Sequence, residues 1–150
     1  MSTLDKAILI AAQAHQDQKD RYGKAYILHP IRLMIKMDSV PEQIVAILHD
    51  VVEDSEWTLI DLHKEGFSEE IITAVDCMTK RDNELYMDYI ERLKINPIAR
   101  KVKLADLEDN MDLRRIAQIS EYDLKRLERY HQAWKLLKDY ETQTTYLDSK

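Results

Sequence analysis

The stretch Ser39-Val40-Pro41-Glu42-Gln43-Ile44-Val45-Ala46-Ile47-Leu48-His49-Asp50-Val51-Val52-Glu53-Asp54 decides the fold class. Ser39 and Glu42, with Pro41 just inside, form the pattern in which a serine hydroxyl and an N3 glutamate satisfy backbone N–H groups at a helix start. The run Ile44 to Leu48 then turns apolar residues to every side of that helix. A helix apolar all round is wrapped by others, so it is expected at the centre of a helical assembly. Working outward, Leu4, Ile8, Ala11, Ala12 and His15 recur at helical spacing over 4–18. Residues 19–29, which hold Gly23, read as a loop, and Pro30 is expected to open a helix at its first position. Thr58 and Ser68 are N-cap candidates, with Gly66 as a C-cap between them. Helices are expected over 84–94, from Asn96-Pro97 to about residue 117, and from Ser120 to about residue 141, with a fraying polar tail. The expectation is an all-α bundle of seven or eight helices without substantial sheet. It forms one domain over residues 1–150, with its motifs in about 8–115.

Composition supports this and narrows the function. The chain has 150 residues, 45 % apolar and 33 % charged, which suits one soluble domain with a real core. Two glycines and three prolines are too few for the turns of an all-β fold. A formal net charge of −6 argues against a nucleic-acid polymer as partner, while a pocket can still be locally basic for a small phosphorylated nucleotide. Cys77 is the single cysteine and lies in an apolar stretch, which reads as a core thiol in a reducing compartment. No signal-peptide pattern and no apolar run of the ~20 residues that span a bilayer is present, so a cytoplasmic location and no membrane partner are expected.

The central helix ends in His49-Asp50-Val51-Val52-Glu53-Asp54. On a continuous helix, with His49 at zero, Glu53 falls at about 40°, Asp50 at about 100° and Asp54 at about 140°. Four ionisable groups on less than half of an otherwise apolar helix cost several kcal/mol each if buried unpaired, and a divalent metal is the economical compensation. The plainer reading is a helix that surfaces at an acidic end. Two other segments weigh against it. Tyr26-Ile27-Leu28-His29-Pro30 places His29 immediately before a helix start. Lys103-Leu104-Ala105-Asp106, followed by Asn110 and Arg114, puts a carboxylate, an amide and two cations on one helical stripe. His29, His49, Asp50 and Asp106 make a mixed nitrogen and oxygen set that suits Mn2+, Fe2+ or Zn2+, with room left for water.

These residues resemble the HD superfamily of metal-dependent phosphohydrolases, closest to the hydrolase domain of the RelA/SpoT-type alarmone enzymes and the stand-alone small alarmone hydrolases. The resemblance is carried in order by Ala14-His15-Gln16-Asp17-Gln18, Gly23-Lys24-Ala25-Tyr26-Ile27-Leu28-His29-Pro30, Leu48-His49-Asp50-Val51-Val52-Glu53-Asp54, Met78-Thr79-Lys80 and Val102-Lys103-Leu104-Ala105-Asp106-Leu107 with Asn110. It implies an all-α fold, Mn2+ held by His29, His49, Asp50 and Asp106, water activation by Glu53 and Asp54, and nucleotide contact by Asn110. It implies removal of the 3′-pyrophosphate of guanosine tetra- or pentaphosphate, without the synthetase domain of the bifunctional members. The sequence departs from the pattern at Asp20 and Arg21, where an Arg-Lys pair is expected, at Ala25, where a proline is expected, and at Leu113, where a threonine is expected. Without the base-stacking arginine, guanine recognition falls to Lys19 or Arg21.

The expected mechanism has the metal lower the pKa of a bound water. Glu53 and Asp54 handle its proton, one of the crowded pair staying protonated to serve the leaving oxygen. Arg21, Lys80, Lys103 and Arg114 are candidate phosphate ligands, with Lys103 and Arg21 favoured. His15 reads as a packing or supporting histidine. Alternatives are a phosphatase for another nucleotide, such as a nicotinamide dinucleotide phosphate or a nucleoside monophosphate, and a nucleotide-binding sensor without catalysis.

Overall fold

The computed structural model describes residues 2–150. Its α-helices run α1 Leu4–Ala14, α2 Leu28–Ile35, α3 Val40–Leu48, α4 Val51–Asp54, α5 Leu59–Lys64, α6 Glu69–Met78, α7 Tyr86–Leu93, α8 Pro97–Asn110 and α9 Glu121–Asp148, with a 3-10 turn at Leu113–Arg115. The pairing outside helices, among the described residues, is an isolated antiparallel bridge between Lys19 and Ala25. Counting α3 and α4 as one interrupted rod, eight helices remain, at the upper end of the expected number.

Local signals hold where they are self-contained. Ser39 with Glu42 forms a complete capping box on α3, as do Thr58 with Asp61 on α5 and Ser120 with Asp123 on α9. Asn96 caps α8 through the N–H of Ala99 at 2.9 Å. Gly66 follows α5 at φ +89°, the left-handed conformation that ends helices and that residues with a Cβ adopt at a cost.

Ile44, Val45, Ala46, Ile47 and Leu48 are all buried, so α3 is the central helix. Around it Ala7, Ile10 and Ala11 of α1, Leu33 of α2, Leu62 of α5, Ala74 and Val75 of α6, and Val102 of α8 complete the main core. A second core joins Ile90 and Leu93 of α7, Leu104 and Leu107 of α8, and Ala133 and Leu137 of α9. Helix α8 therefore lies between two apolar bodies, which explains why six consecutive positions (Val102 to Leu107) are buried, two of them ionisable.

Several expected boundaries move. Helix α1 ends at Ala14 rather than residue 18, with Asp17 at φ +62° in the turn beyond. Helix α2 begins at Leu28, so His29 lies inside its first turn and Pro30 is the third residue, where its missing N–H still costs no helical bond. Helix α8 stops at Asn110, not near 117, and α9 continues to Asp148, where a frayed tail after residue 140 is expected. The central rod breaks at His49-Asp50 without glycine or proline. His49 Nδ1 lies 2.7 Å from the carbonyl oxygen of Ala46, the acceptor a continuous helix offers to the N–H of residue 50. The side chain competes with the helical ladder, and a new turn starts with the Asp54 N–H on the Asp50 carbonyl at 2.9 Å.

Candidate functional site

The break in the central rod replaces the angular placement expected for a continuous helix, and it aims His49 and Asp50 across the core at α2 and α8. Donor atoms of His29, His49 and Asp50 lie within 4.8 Å of one another. His29 Nε2 is 2.9 Å from Asp106 Oδ1, His49 Nε2 is 2.9 Å from Asp50 Oδ2, and His49 Nε2 is 3.7 Å from Asp106 Oδ1. Ligands at about 2.0–2.2 Å from a shared ion stand about 3–4 Å apart, so these separations suit one divalent cation. His49 supplies the independent sign. Its Nδ1 faces a carbonyl and so carries the proton, while its buried Nε2 has no hydrogen-bond partner among the described residues. A buried ring nitrogen with a free lone pair beside two carboxylates fits a metal ligand.

The charges are mutually arranged. Burial works against the imidazolium of His49, yet Asp50 and Asp106 beside it hold its pKa well above the ordinary value. His29 behaves likewise, burial opposing and Asp106 and Asp109 raising it. Burial also opposes ionisation of Asp106, but Lys103, His29 and His49 keep its carboxyl well below the usual range. Asp50 is held low against burial by His49. The carboxylates are thus favoured as anions, and at the histidine nitrogens a cation competes with protons that the neighbouring acids favour.

Glu53 and Asp54 line the rim. Both are solvent-accessible. The protein packed behind them still raises both pKa values through lost hydration, and the charge of Asp50 adds to each. Glu53 is oriented by the Lys80 backbone N–H, 2.6 Å from its Oε1. Asp54 receives a bond from Gln18 Nε2 at 3.3 Å, and Gln18 in turn lies 2.8 Å from His15 Nδ1, which makes the buried His15 a support two steps back. A cleft of about 630 Å³ lined by Gln13, Ala14, Glu53, Asp54 and Trp57 opens beside the acids.

The cations expected to bind phosphate are placed differently. Lys103 is only 9 % exposed, pairs with Asp106 Oδ2 at 2.7 Å and lies over the Tyr89 ring at 5.2 Å, so its charge serves Asp106. Arg21 turns away to Asp123 Oδ1 at 3.0 Å and stacks on Tyr122 at 4.4 Å, because the N-terminus of α9 packs beside its loop. Arg114 leaves the expected stripe because α8 ends four residues earlier, and its exposed guanidinium pairs with Asp112. Asn110 stays on the stripe but donates to Asp106 Oδ1 at 2.9 Å. The Lys80 side chain is exposed near Glu53.

Two residues were not anticipated. Tyr26 donates its hydroxyl to Asp50 Oδ2, and its ring lies tilted between those of His15 and His29, with centroids at 4.8 and 5.8 Å. Asp109, one turn past Asp106, is 4 % exposed and lies 2.6 Å from His29 Nδ1. The missed signal was its i+3 spacing from Asp106 on a helix already flanked by apolar residues.

No family model matches the chain. It is 29 % identical over 120 residues to a guanosine-3′,5′-bis(diphosphate) 3′-pyrophosphohydrolase of Aquifex aeolicus, covering 72 % of this chain and 17 % of that protein. It is 32 % identical over 113 residues to a protein of the same description from Vibrio cholerae, covering 73 % of this chain and 16 % of that protein. A GTP pyrophosphokinase of Streptomyces coelicolor is 30 % identical over 121 residues, covering 72 % of this chain and 14 % of its own length. The chain thus spans less than a fifth of these curated relatives. A solved structure of a metazoan ortholog of SpoT, described as hydrolyzing ppGpp, shares the fold at TM-score 0.71 and 23 % identity, covering 93 % of this chain and 85 % of that one. Over about 72–73 % of its length this chain is similar in sequence to one segment of these guanosine-3′,5′-bis(diphosphate) 3′-pyrophosphohydrolases and of the GTP pyrophosphokinase, and it shares the all-helical fold of the metazoan SpoT ortholog.

Proposed function

We propose that this chain is a divalent-metal-dependent phosphohydrolase of a small phosphorylated nucleotide, with a guanosine 3′,5′-bis(diphosphate) 3′-pyrophosphohydrolase-like activity as the leading reading. The observation that carries it is the meeting of His29, His49, Asp50 and Asp106, from three separate chain segments, around the free Nε2 of His49. The named activities of the similar proteins support the substrate class.

In this reading His29, His49, Asp50 and Asp106 hold the ion, with Mn2+ preferred and Fe2+ or Zn2+ as substitutes. The bound ion supplies water activation near neutral pH and offsets phosphate charge. Glu53, fixed by the Lys80 N–H, and Asp54, fixed by Gln18, stand next to one another at the rim. Their raised pKa values let one carboxylate take a proton from the attacking water while the other carboxyl delivers one to the leaving oxygen. The cleft beside them admits the nucleotide, and the exposed Lys80 side chain is the phosphate ligand that the geometry favours. The shared use of α8 by both apolar cores supports the chain acting as one domain. Among the described residues no helix is long and apolar enough to cross a membrane. A cytoplasmic location is proposed from the single, half-buried cysteine.

A specific observation favours a second reading, a phosphatase for another nucleotide. Position 20 carries an acid, which Arg115 engages, and Arg21 is engaged by Asp123, so neither position expected to bind the guanine offers a free cation. A nucleotide panel incubated with Mn2+ separates the two. Pyrophosphate released from guanosine tetraphosphate supports the leading reading, orthophosphate from another nucleotide supports the second, and binding without any product overturns both in favour of a sensor.

A further inference from the structure

His29 is gripped on both ring nitrogens. Its Nε2 faces Asp106, and its Nδ1 lies 2.6 Å from Asp109 Oδ2 in a buried setting. Asp109 is itself clamped. Arg32 donates through Nε to Oδ1 at 2.8 Å and through Nη2 to Oδ2 at 2.9 Å. Arg115 donates through Nη1 to Oδ2 at 2.8 Å and to the Asp109 carbonyl at 2.9 Å. The same guanidinium reaches Asp20 Oδ2 at 3.3 Å, while Asp20 Oδ1 accepts the N–H groups of Tyr22 and Lys24 at 2.8 and 2.9 Å. Asp20 stands where the family resemblance leads one to expect arginine, and here it braces Arg115 instead.

A surface ion pair is the plain alternative, and it is worth little in water. Asp109 does not fit it, being 4 % exposed with one carboxylate serving a histidine and two guanidinia. Charge-assisted bonds from two arginines fix both the charge and the orientation of that carboxylate. An acceptor-only partner requires Nδ1 to carry the proton, which leaves the lone pair of neutral His29 on Nε2, toward Asp106. The geometry points to Asp109 as the positioning residue for His29, setting its tautomer and aim, with Arg32 and Arg115 as the clamp and Asp20 tying that clamp to the 19–25 loop.

The inference rests on His29 being a metal ligand, and the test separates the two claims. Mn2+ is titrated calorimetrically into wild-type protein and into Asp109→Asn, which keeps the shape and an acceptor oxygen but loses the charge. Removing such outer support weakens metal binding by about ten- to hundredfold, and that is the expected rise in Kd, with helical content unchanged. Because the variant can lose stability, a second readout is needed. In Zn2+-loaded protein with 15N-labelled histidine, the His29 Nδ1 proton resonates downfield beside the carboxylate and moves upfield in Asp109→Asn. Wild-type protein that takes up no metal refutes the metal reading and this inference with it. Wild-type uptake matched by Asp109→Asn, or an unmoved His29 resonance, refutes this inference alone.

Discussion

Replacing Lys103 by methionine keeps the reach of the side chain and removes its charge from the centre of the site. Lys103 is buried against Asp106 at 2.7 Å and packs over Tyr89. Deleting one partner of a buried ion pair costs about 3–5 kcal/mol, because the other charge stays behind. Asp106 keeps His29 at 2.9 Å and Asn110 at 2.9 Å, which places the loss near the lower end of that range. About 3 kcal/mol lowers the melting temperature by about 6–12 °C for a domain of this size. A divalent cation then acts in the opposite direction. With Lys103 gone, the ion meets a more negative donor set, so the variant gains more from Mn2+ than wild type does and the gap between them narrows. For scale, a ligand at a hundredfold over its Kd stabilises by about 2.7 kcal/mol. Thermal unfolding of both proteins, metal-free and with Mn2+, reads all of this. A metal-free Lys103→Met protein that melts with wild type, or a gap that Mn2+ leaves unchanged, refutes the reasoning.

Three further outcomes follow from other parts of the structure. Glu53→Gln is expected to lower kcat by about a hundredfold or more while leaving the Mn2+ Kd near wild type, since Glu53 lies at the rim and the proposed mechanism gives it the proton transfer and not the metal; a matched loss of metal binding contradicts that division. Leu107→Ala opens a cavity in the second core, where Leu107 is 0 % exposed, and should cost about 2–5 kcal/mol in denaturant unfolding. Glu84 is pulled down to about 2 by the two hydrogen bonds from Arg92. Its contribution is therefore fully present above the ordinary glutamate value of 4.5 and disappears as pH falls to about 2, so the melting difference between wild type and Glu84→Gln should be greatest above pH 4.5 and vanish near pH 2.

Most of the fold is legible in the sequence because its signals are local. Ser39 with Glu42, and Asn96 with Pro97, need only their own neighbours to start a helix, and the all-round apolar run at Ile44–Leu48 needs only burial to become central. Interruptions are less legible. The rod breaks at His49 because a side chain takes the Ala46 carbonyl, and no residue type announces that competition. Helix α8 ends at Asn110 while the pattern of charges runs on, so Arg114 joins Asp112 in solvent. The α9 extension has the reverse cause: residues 141–148 lack an apolar stripe but contain no breaker, and the helix continues.

The four residues of the candidate site stand out in the sequence by type and order, and the packed structure brings His29, His49 and Asp50 together with Asp106 beside both histidines. Their supports were harder to see. Asp109 looks like a solvated acid next to Glu108 until Arg32, 77 positions earlier, is found beside it. Arg21 looks like a phosphate ligand until α9, a hundred residues on, supplies Asp123. Pairings of that kind arise from the tertiary arrangement, and spacing along the chain carries no trace of them.

The most direct test is a calorimetric titration of metal-free protein with Mn2+, run in parallel on wild type and Asp50→Ala. The account predicts saturable uptake of a single ion per chain by the wild-type protein and none by the variant. Wild-type protein that stays metal-free at saturating Mn2+, or an Asp50→Ala chain that fills as readily, contradicts it.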